Sequence, residues 1–105
     1  MWKVEYLREA LEDIKRLDPA QRVQVVKAIN KVAINPLPQA EGGYGKPLGN
    51  KGGTNLAGYC KIKLLKLGLR VVYKVVRENG IMKIIVVSAR ADDEVYIMAQ
   101  KRVKE

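Results

Sequence analysis

Hydrophobic and polar positions alternate at the start of the chain. Trp2, Val4 and Tyr6 are separated by Lys3 and Glu5, the two-residue period of a strand, so residues 2–6 are expected to form one. From Leu7 the period changes. Leu7, Ala10, Leu11, Ile14 and Leu17 recur at helical spacing, with Arg8, Glu9, Glu12, Asp13, Lys15 and Arg16 assigned to the opposite, solvated side. Asp18-Pro19 ends this helix and begins the next. Asp18 suits the N-cap, Pro19 the first helical position, and Gln21 stands at capping-box spacing. Val23, Val26, Ile29 and Val32 or Ala33 give the second helix its apolar stripe, and Asn35-Pro36 stops it. So short a join favours an antiparallel helical hairpin.

Residues 37–58 break the pattern. Seven of the nine glycines lie here, at 42, 43, 45, 49, 52, 53 and 58, and the stretch is expected to be a long connector outside the core. It matches neither a Walker loop nor a dinucleotide fingerprint. Alternation then resumes over residues 59–65, 69–77 and 81–88, three strands joined by turns at Lys66-Leu67-Gly68 and Glu78-Asn79-Gly80. Ile81 to Val87 is almost continuously apolar, as a strand covered on both faces requires. A last helix begins at Asp92-Asp93-Glu94, acids at the favourable end of its dipole. Its apolar stripe is Val95, Met98, Ala99 and Val103, and it finishes with Lys101, Arg102 and Lys104. The expected fold is α+β, in the order β-α-α-β-β-β-α: an antiparallel sheet packed by a helical hairpin and a C-terminal helix, one domain over residues 1–105.

Composition narrows the function. With 105 residues, 48% hydrophobic and 30% charged, the chain suits one globular core. No apolar run approaches the roughly 20 residues of a membrane span, and no signal-peptide core is present. A single cysteine fits a reducing, cytoplasmic setting. The absence of histidine removes the commonest general base and metal ligand, so neither a metal site nor another cofactor is expected.

Charge changes the picture most. The net charge is +9, and no acid lies between Glu41 and Glu78. That interval holds eight cations: Lys46, Lys51, Lys61, Lys63, Lys66, Arg70, Lys74 and Arg77. In the first of the three strands Lys61 and Lys63 share a face with Tyr59, about 7 Å apart, while Cys60, Ile62 and Leu64 face the other way. Arg70 on the next strand adds a third cation. Lysines on a strand are met equally on plain solvated sheet faces. A basic block of this size is also the footprint of a polyanion, with nucleic acid first, an acidic protein second and a membrane surface third. Lys46 and Lys51 in the connector, with Lys66 and Lys74, would extend a phosphate-binding surface. Arg90, at a strand end, and Tyr96, in the last helix, stand where they can converge on the same patch.

The chain resembles the RelE family of bacterial and archaeal toxins, within the RelE/ParE superfamily. The resemblance spans nearly its whole length. It rests on Leu-Arg-Glu-Ala-Leu-Glu-Asp-Ile-Lys-Arg-Leu from residue 7, Gly-Lys-Pro-Leu from 45 and Gly-Tyr-Cys-Lys-Ile-Lys-Leu from 58. It continues in Leu-Arg-Val-Val-Tyr-Lys-Val from 69, Val-Val-Ser-Ala-Arg from 86 and Glu-Val-Tyr from 94. Members that cut mRNA on the ribosome carry Lys-x-Lys, two arginines and a tyrosine at the positions that Lys61, Lys63, Arg70, Arg90 and Tyr96 occupy here. Cys60 at the start of the lysine motif is one departure, and Ala89 and Ala91 around Arg90 are another, since relatives are often more basic there.

What the resemblance implies is a type II toxin that cleaves mRNA in the decoding site, by 2′-hydroxyl attack on the adjacent phosphate. Lys61 would act as base, Lys63 and Arg70 would stabilise phosphate charge, Arg90 would attend the leaving oxygen and Tyr96 would orient or stack on a base. It also implies a RelB-like antitoxin with an acidic helical segment, in an assembly such as a heterotetramer, and the ribosome and mRNA as partners, with no membrane. Two other functions share the fold: a ParE-like gyrase poison, and a non-catalytic RNA- or ribosome-binding protein.

Overall fold

The computed structural model describes residues 2–48 and 56–103. Its elements are β1 (Lys3–Tyr6), α1 (Arg8–Lys15), α2 (Pro19–Val32), β2 (Lys46–Pro47), β3 (Tyr59–Leu64), β4 (Leu69–Val76), β5 (Ile81–Ser88) and α3 (Asp92–Val103), with short 3-10 turns at Gln39–Glu41 and Arg77–Asn79. Apart from β2 and these turns, this is the expected order. The strands form a five-stranded sheet in the order β1-β5-β4-β3-β2. The sheet is mixed rather than purely antiparallel, because β1 runs parallel to β5, with Lys3 opposite Ile81 and Tyr6 opposite Ile84. The chain reaches that parallel partner only after the helices and the β3-β4-β5 meander, the long crossover that a parallel pair needs. No helix among the described residues is long and apolar enough to cross a membrane.

Both faces of the sheet are covered. On one, Ala10 and Ile14 of α1 and Val25, Ile29 and Val32 of α2 pack on Cys60, Leu69, Val71, Tyr73, Met82, Ile84 and Val87. On the other, Val95, Tyr96 and Ala99 of α3 pack on Tyr59, Val72, Ile85 and Val86. A β-bulge keeps these two sets in phase. The register steps from Tyr73 opposite Ile84 to Val72 opposite Val86. Consequently Ile85 and Val86 both serve the α3 core, while Ile84 and Val87 on either side serve the other. The extra residue also sets Ser88 opposite Arg70.

Three expectations change. In α1, Leu11 is 44% exposed and Asp13 is buried, the reverse of their assigned sides. Asp13 accepts from the Val87 N–H (2.9 Å) and from Arg102 through both oxygens (2.7 and 3.1 Å), while Arg102 also donates to the Ile85 carbonyl (2.8 Å). β1 pairs only as far as Ile84, so these side chains satisfy the β5 edge beyond it. In α2 the buried stripe is Val25, Ile29 and Val32, with Val23 63% exposed and Val26 also outside. The capping box stands as expected, Asp18 accepting from the Gln21 N–H at 2.9 Å. Finally, the connector does enter the core, through buried Leu48 and Leu56.

The connector is fastened near Cys60. Tyr73 Oη donates to the Pro36 carbonyl (2.8 Å). Gly45 packs so closely that a Cβ there would lie 2.6 Å from Tyr73 Oη and 3.0 Å from Cys60 Sγ. Arg77 grips Glu41 with two short bonds, 2.6 and 2.7 Å. Burial pushes the Cys60 thiol above its usual range and the Tyr73 phenol well above its own, and the Arg77 hydrogen bonds hold the Glu41 carboxyl below its ordinary value.

Candidate active site

The basic patch lies where β3, β4 and the end of β5 meet the start of α3. Strand alternation sends Cys60, Ile62 and Leu64 into the core under α1 and α2, which leaves Lys61 and Lys63 on the α3 face. Cross-strand pairing then aligns the cations in rows. Lys46, Lys61, Val72 and Val86 make one row, and Lys63, Arg70 and Ser88 make the next. Neighbours within such a row have Cβ atoms about 5 Å apart.

Two contacts link the rows to the sequence's other candidates. Lys61 Nζ donates to Tyr96 Oη at 3.0 Å, and it also lies 5.7 Å from the centre of that ring. Arg70 donates to the Arg90 carbonyl at 2.9 Å, fixing the turn that leaves β5. That turn is held from its other side by Ser88, whose hydroxyl accepts from the Arg90 N–H (3.1 Å). The Arg90 side chain remains 65% exposed, and its guanidinium lies 3.4 Å from Glu94 one helical turn on. Lys61, Lys63, Arg70, Arg90 and Tyr96 are therefore one connected group. Lys63 and Arg90 are exposed residues, whereas Lys61 and Arg70 are half-buried.

Tyr96 differs from its expected presentation. Only 4% exposed, its ring fills the core between α3 and Val72, so just the hydroxyl addresses the patch. Among the accessory cations, Lys46 joins the patch as the cross-strand neighbour of Lys61. Lys66 is exposed in the β3–β4 turn, beside a recess lined by Lys63, Leu65 and Leu67. Lys74 lies farther along β4, with its ammonium 5.6 Å from the centre of the Tyr59 ring. Lys51 lies outside the described residues.

Ser88 and Glu94 were missed as site residues by sequence reasoning. Ser88 read as the last residue of a strand, and Glu94 as one of three acids favouring the helix dipole. The i,i+4 spacing of Arg90 and Glu94 was the available signal. Chemically, the arrangement offers several cations that can surround one phosphate, with a phenol fixing one of the amines.

Similarity to known proteins extends over nearly the whole chain. Residues 4–94 match the family model described as ParE toxin of type II toxin-antitoxin system, parDE. A putative RelE-like toxin protein of Escherichia coli is 32% identical over 104 residues, 98% of each chain. Among solved structures, a double arginine-to-alanine mutant of the E. coli toxin RelE in the free state superposes with a TM-score of 0.76, at 28% identity over 97% of both chains. The toxin–antitoxin complex RelBE2 of Mycobacterium tuberculosis contains a chain similar at 26% identity and a TM-score of 0.66, covering 85% of this chain and 98% of that one.

Proposed function

The chain belongs to the ParE toxin family of type II toxin–antitoxin systems, within the RelE/ParE superfamily, and from that premise we propose that it is a ribosome-dependent mRNA endoribonuclease. The observation that carries the reading is the joining of Lys61, Lys63, Arg70, Arg90 and Tyr96 into one basic patch in a chain without histidine. Cleavage by the neighbouring ribose 2′-hydroxyl needs a base for that proton, positive charge around the phosphorane and stabilisation of the departing 5′-oxygen. Lys61, oriented by Tyr96, takes the 2′-hydroxyl proton. Lys63 and Arg70 stabilise the phosphate oxygens, and Arg90 faces the leaving group as an electrostatic stabiliser, because a guanidinium gives up its proton too reluctantly to be a good acid. The products are a 2′,3′-cyclic phosphate and a 5′-hydroxyl. Such a site has no strong acid–base pair and depends on a substrate already bent into line, which is what a decoding site supplies. A cognate antitoxin with an acidic segment would cover the patch, and the cytoplasm is where such a toxin acts.

The test is primer extension on a defined mRNA in a purified translation system. Cuts within the decoding-site codon are expected with the unmutated protein and ribosomes together. They should be absent on naked RNA and fall at least about 100-fold with Arg90→Ala, the size of one lost electrostatic stabiliser. Intact mRNA at high protein concentration would overturn the reading. The ParE name of the matching family model favours one second reading, a gyrase poison. Inhibition of gyrase supercoiling, without mRNA cleavage, would establish that instead.

A further inference from the structure

A second basic site lies on the α3 face of the sheet, away from the patch described above. Lys74 of β4 and Lys83 of β5 are direct cross-strand partners, and Tyr59 of β3 is the partner of Lys74 on its other side. Like charges directly opposite in a sheet repel and destabilise it. No ion-pair partner for either ammonium is found among the described residues. The nearest strand neighbour with a carboxylate is Glu5, opposite Lys83 on β1, and its carboxylate lies 3.8 Å from Lys3.

These lysines border a cleft of about 160 Å³ lined by Leu7, Tyr59, Lys74, Lys83, Ile85, Arg102 and Val103. That is the volume of roughly five waters at about 30 Å³ each, room for a tetrahedral oxyanion. Arg102 adds little net charge, because its guanidinium is engaged by Asp13 and the Ile85 carbonyl. The field in the cleft is therefore that of Lys74 and Lys83, over a wall made by the Tyr59 ring.

We propose that this cleft binds a backbone phosphate of RNA, as an anchor separate from the reacting centre. It rests on the nuclease reading above for the nature of the ligand. Arg70 and Lys74 share a strand face four residues apart, about 13 Å. The cleft is thus about four phosphates from the patch along a stacked strand, at about 3.4 Å per phosphate. A pair of mobile ammonium groups suits phosphate held as a point charge, independent of sequence. Tyr59 adds an aromatic surface beside it.

The experiment measures equilibrium binding of a single-stranded RNA across a range of salt. All proteins carry Arg90→Ala, so the RNA is not consumed. Lys74→Gln/Lys83→Gln is compared with Lys27→Gln/Lys31→Gln, which makes the same charge change on α2, the helix on the other side of the sheet. Loss of that one phosphate contact predicts a salt slope shallower by about 0.7 for the first pair only. Lys74→Arg/Lys83→Arg should retain the slope. An equal change in both glutamine pairs would reduce the effect to net charge and overturn the cleft, as would no change in either. Unaltered RNA binding with weakened poly-glutamate binding would overturn it in favour of an acidic polypeptide. Ribosomal cleavage by the otherwise unmutated protein reports separately on the nuclease reading. If that cleavage persists while the binding test fails, only the cleft is lost. If the reference protein binds no RNA at all, the cleft falls; if ribosomal cleavage is absent as well, the nuclease reading falls with it.

Discussion

Tyr96→Phe keeps the ring that fills the core beside Val72 and removes only the hydroxyl to which Lys61 donates. The structural cost is that of one hydrogen bond, about 1 kcal/mol. The functional cost is larger under the proposed mechanism, because Lys61 loses the contact that orients the amine acting as base. Cleavage on ribosomes is expected to fall well beyond the small change in melting temperature; unchanged cleavage would remove the hydroxyl from the mechanism. Asp13 makes the opposite prediction. It is far from the patch in role, yet it holds α1, the free part of the β5 edge and the end of α3 together. Asp13→Ala leaves the Arg102 guanidinium, only 15% exposed, without its partner. A loss of about 3–5 kcal/mol is expected in urea unfolding. Adding Arg102→Leu should return part of it, since the uncompensated charge is then gone. Neither role was legible in the sequence. On a helical wheel Asp13 belongs with the solvated charges, and only the short reach of β1 along β5 leaves a backbone N–H for it to satisfy.

At the scale of elements, the periodicities located every major strand and helix, because each buries a face and that burial is written in its spacing. What periodicity handled less well was phase. In α2 the apolar residues Val23, Val25, Val26, Ile29 and Val32 are too many for one stripe, so only packing on the sheet selects which are buried. In β5 the apolar run hides a bulge, since Ile84 through Val87 are all apolar and any phase satisfies the pattern. The bulge matters to the site because it places Ser88 in the row of Lys63 and Arg70. The connector's glycines mark it as a loop, yet Leu48 and Leu56 are core residues and Gly45 is a point of close packing. Gly45→Ala is expected to push the connector off Tyr73 and break its bond to the Pro36 carbonyl. The cost should be about 1–3 kcal/mol, as for other overpacked sites. In a domain of this size that lowers the melting temperature by roughly 4–8 °C per kcal/mol. An unshifted melting curve would mean that the connector adjusts without cost.

For the whole molecule, the charge distribution sets how it meets partners. A net +9 with the acid-free interval concentrated on β2, β3 and β4 makes one side of the sheet attractive to any polyanion. Association with an acidic antitoxin segment should therefore be fast at low salt and slow steeply as ionic strength rises through about 0.15 M, where the screening length is about 8 Å. Stopped-flow mixing across a salt series would measure this, and a flat profile would point to apolar docking instead. The chain by itself determined the order of the major elements and the segregation of charge. Burial patterns and net charge are local or additive properties, readable one residue after another. Tertiary structure alone decided that β1 lies parallel to β5, that Tyr96 turns its ring inward and touches Lys61 with its hydroxyl, and that Asp13 belongs inside. It also decided that Lys74 and Lys83 face each other. Each of these depends on register between segments distant in the chain, and a sequence carries no local mark of register once several phases bury the same apolar area.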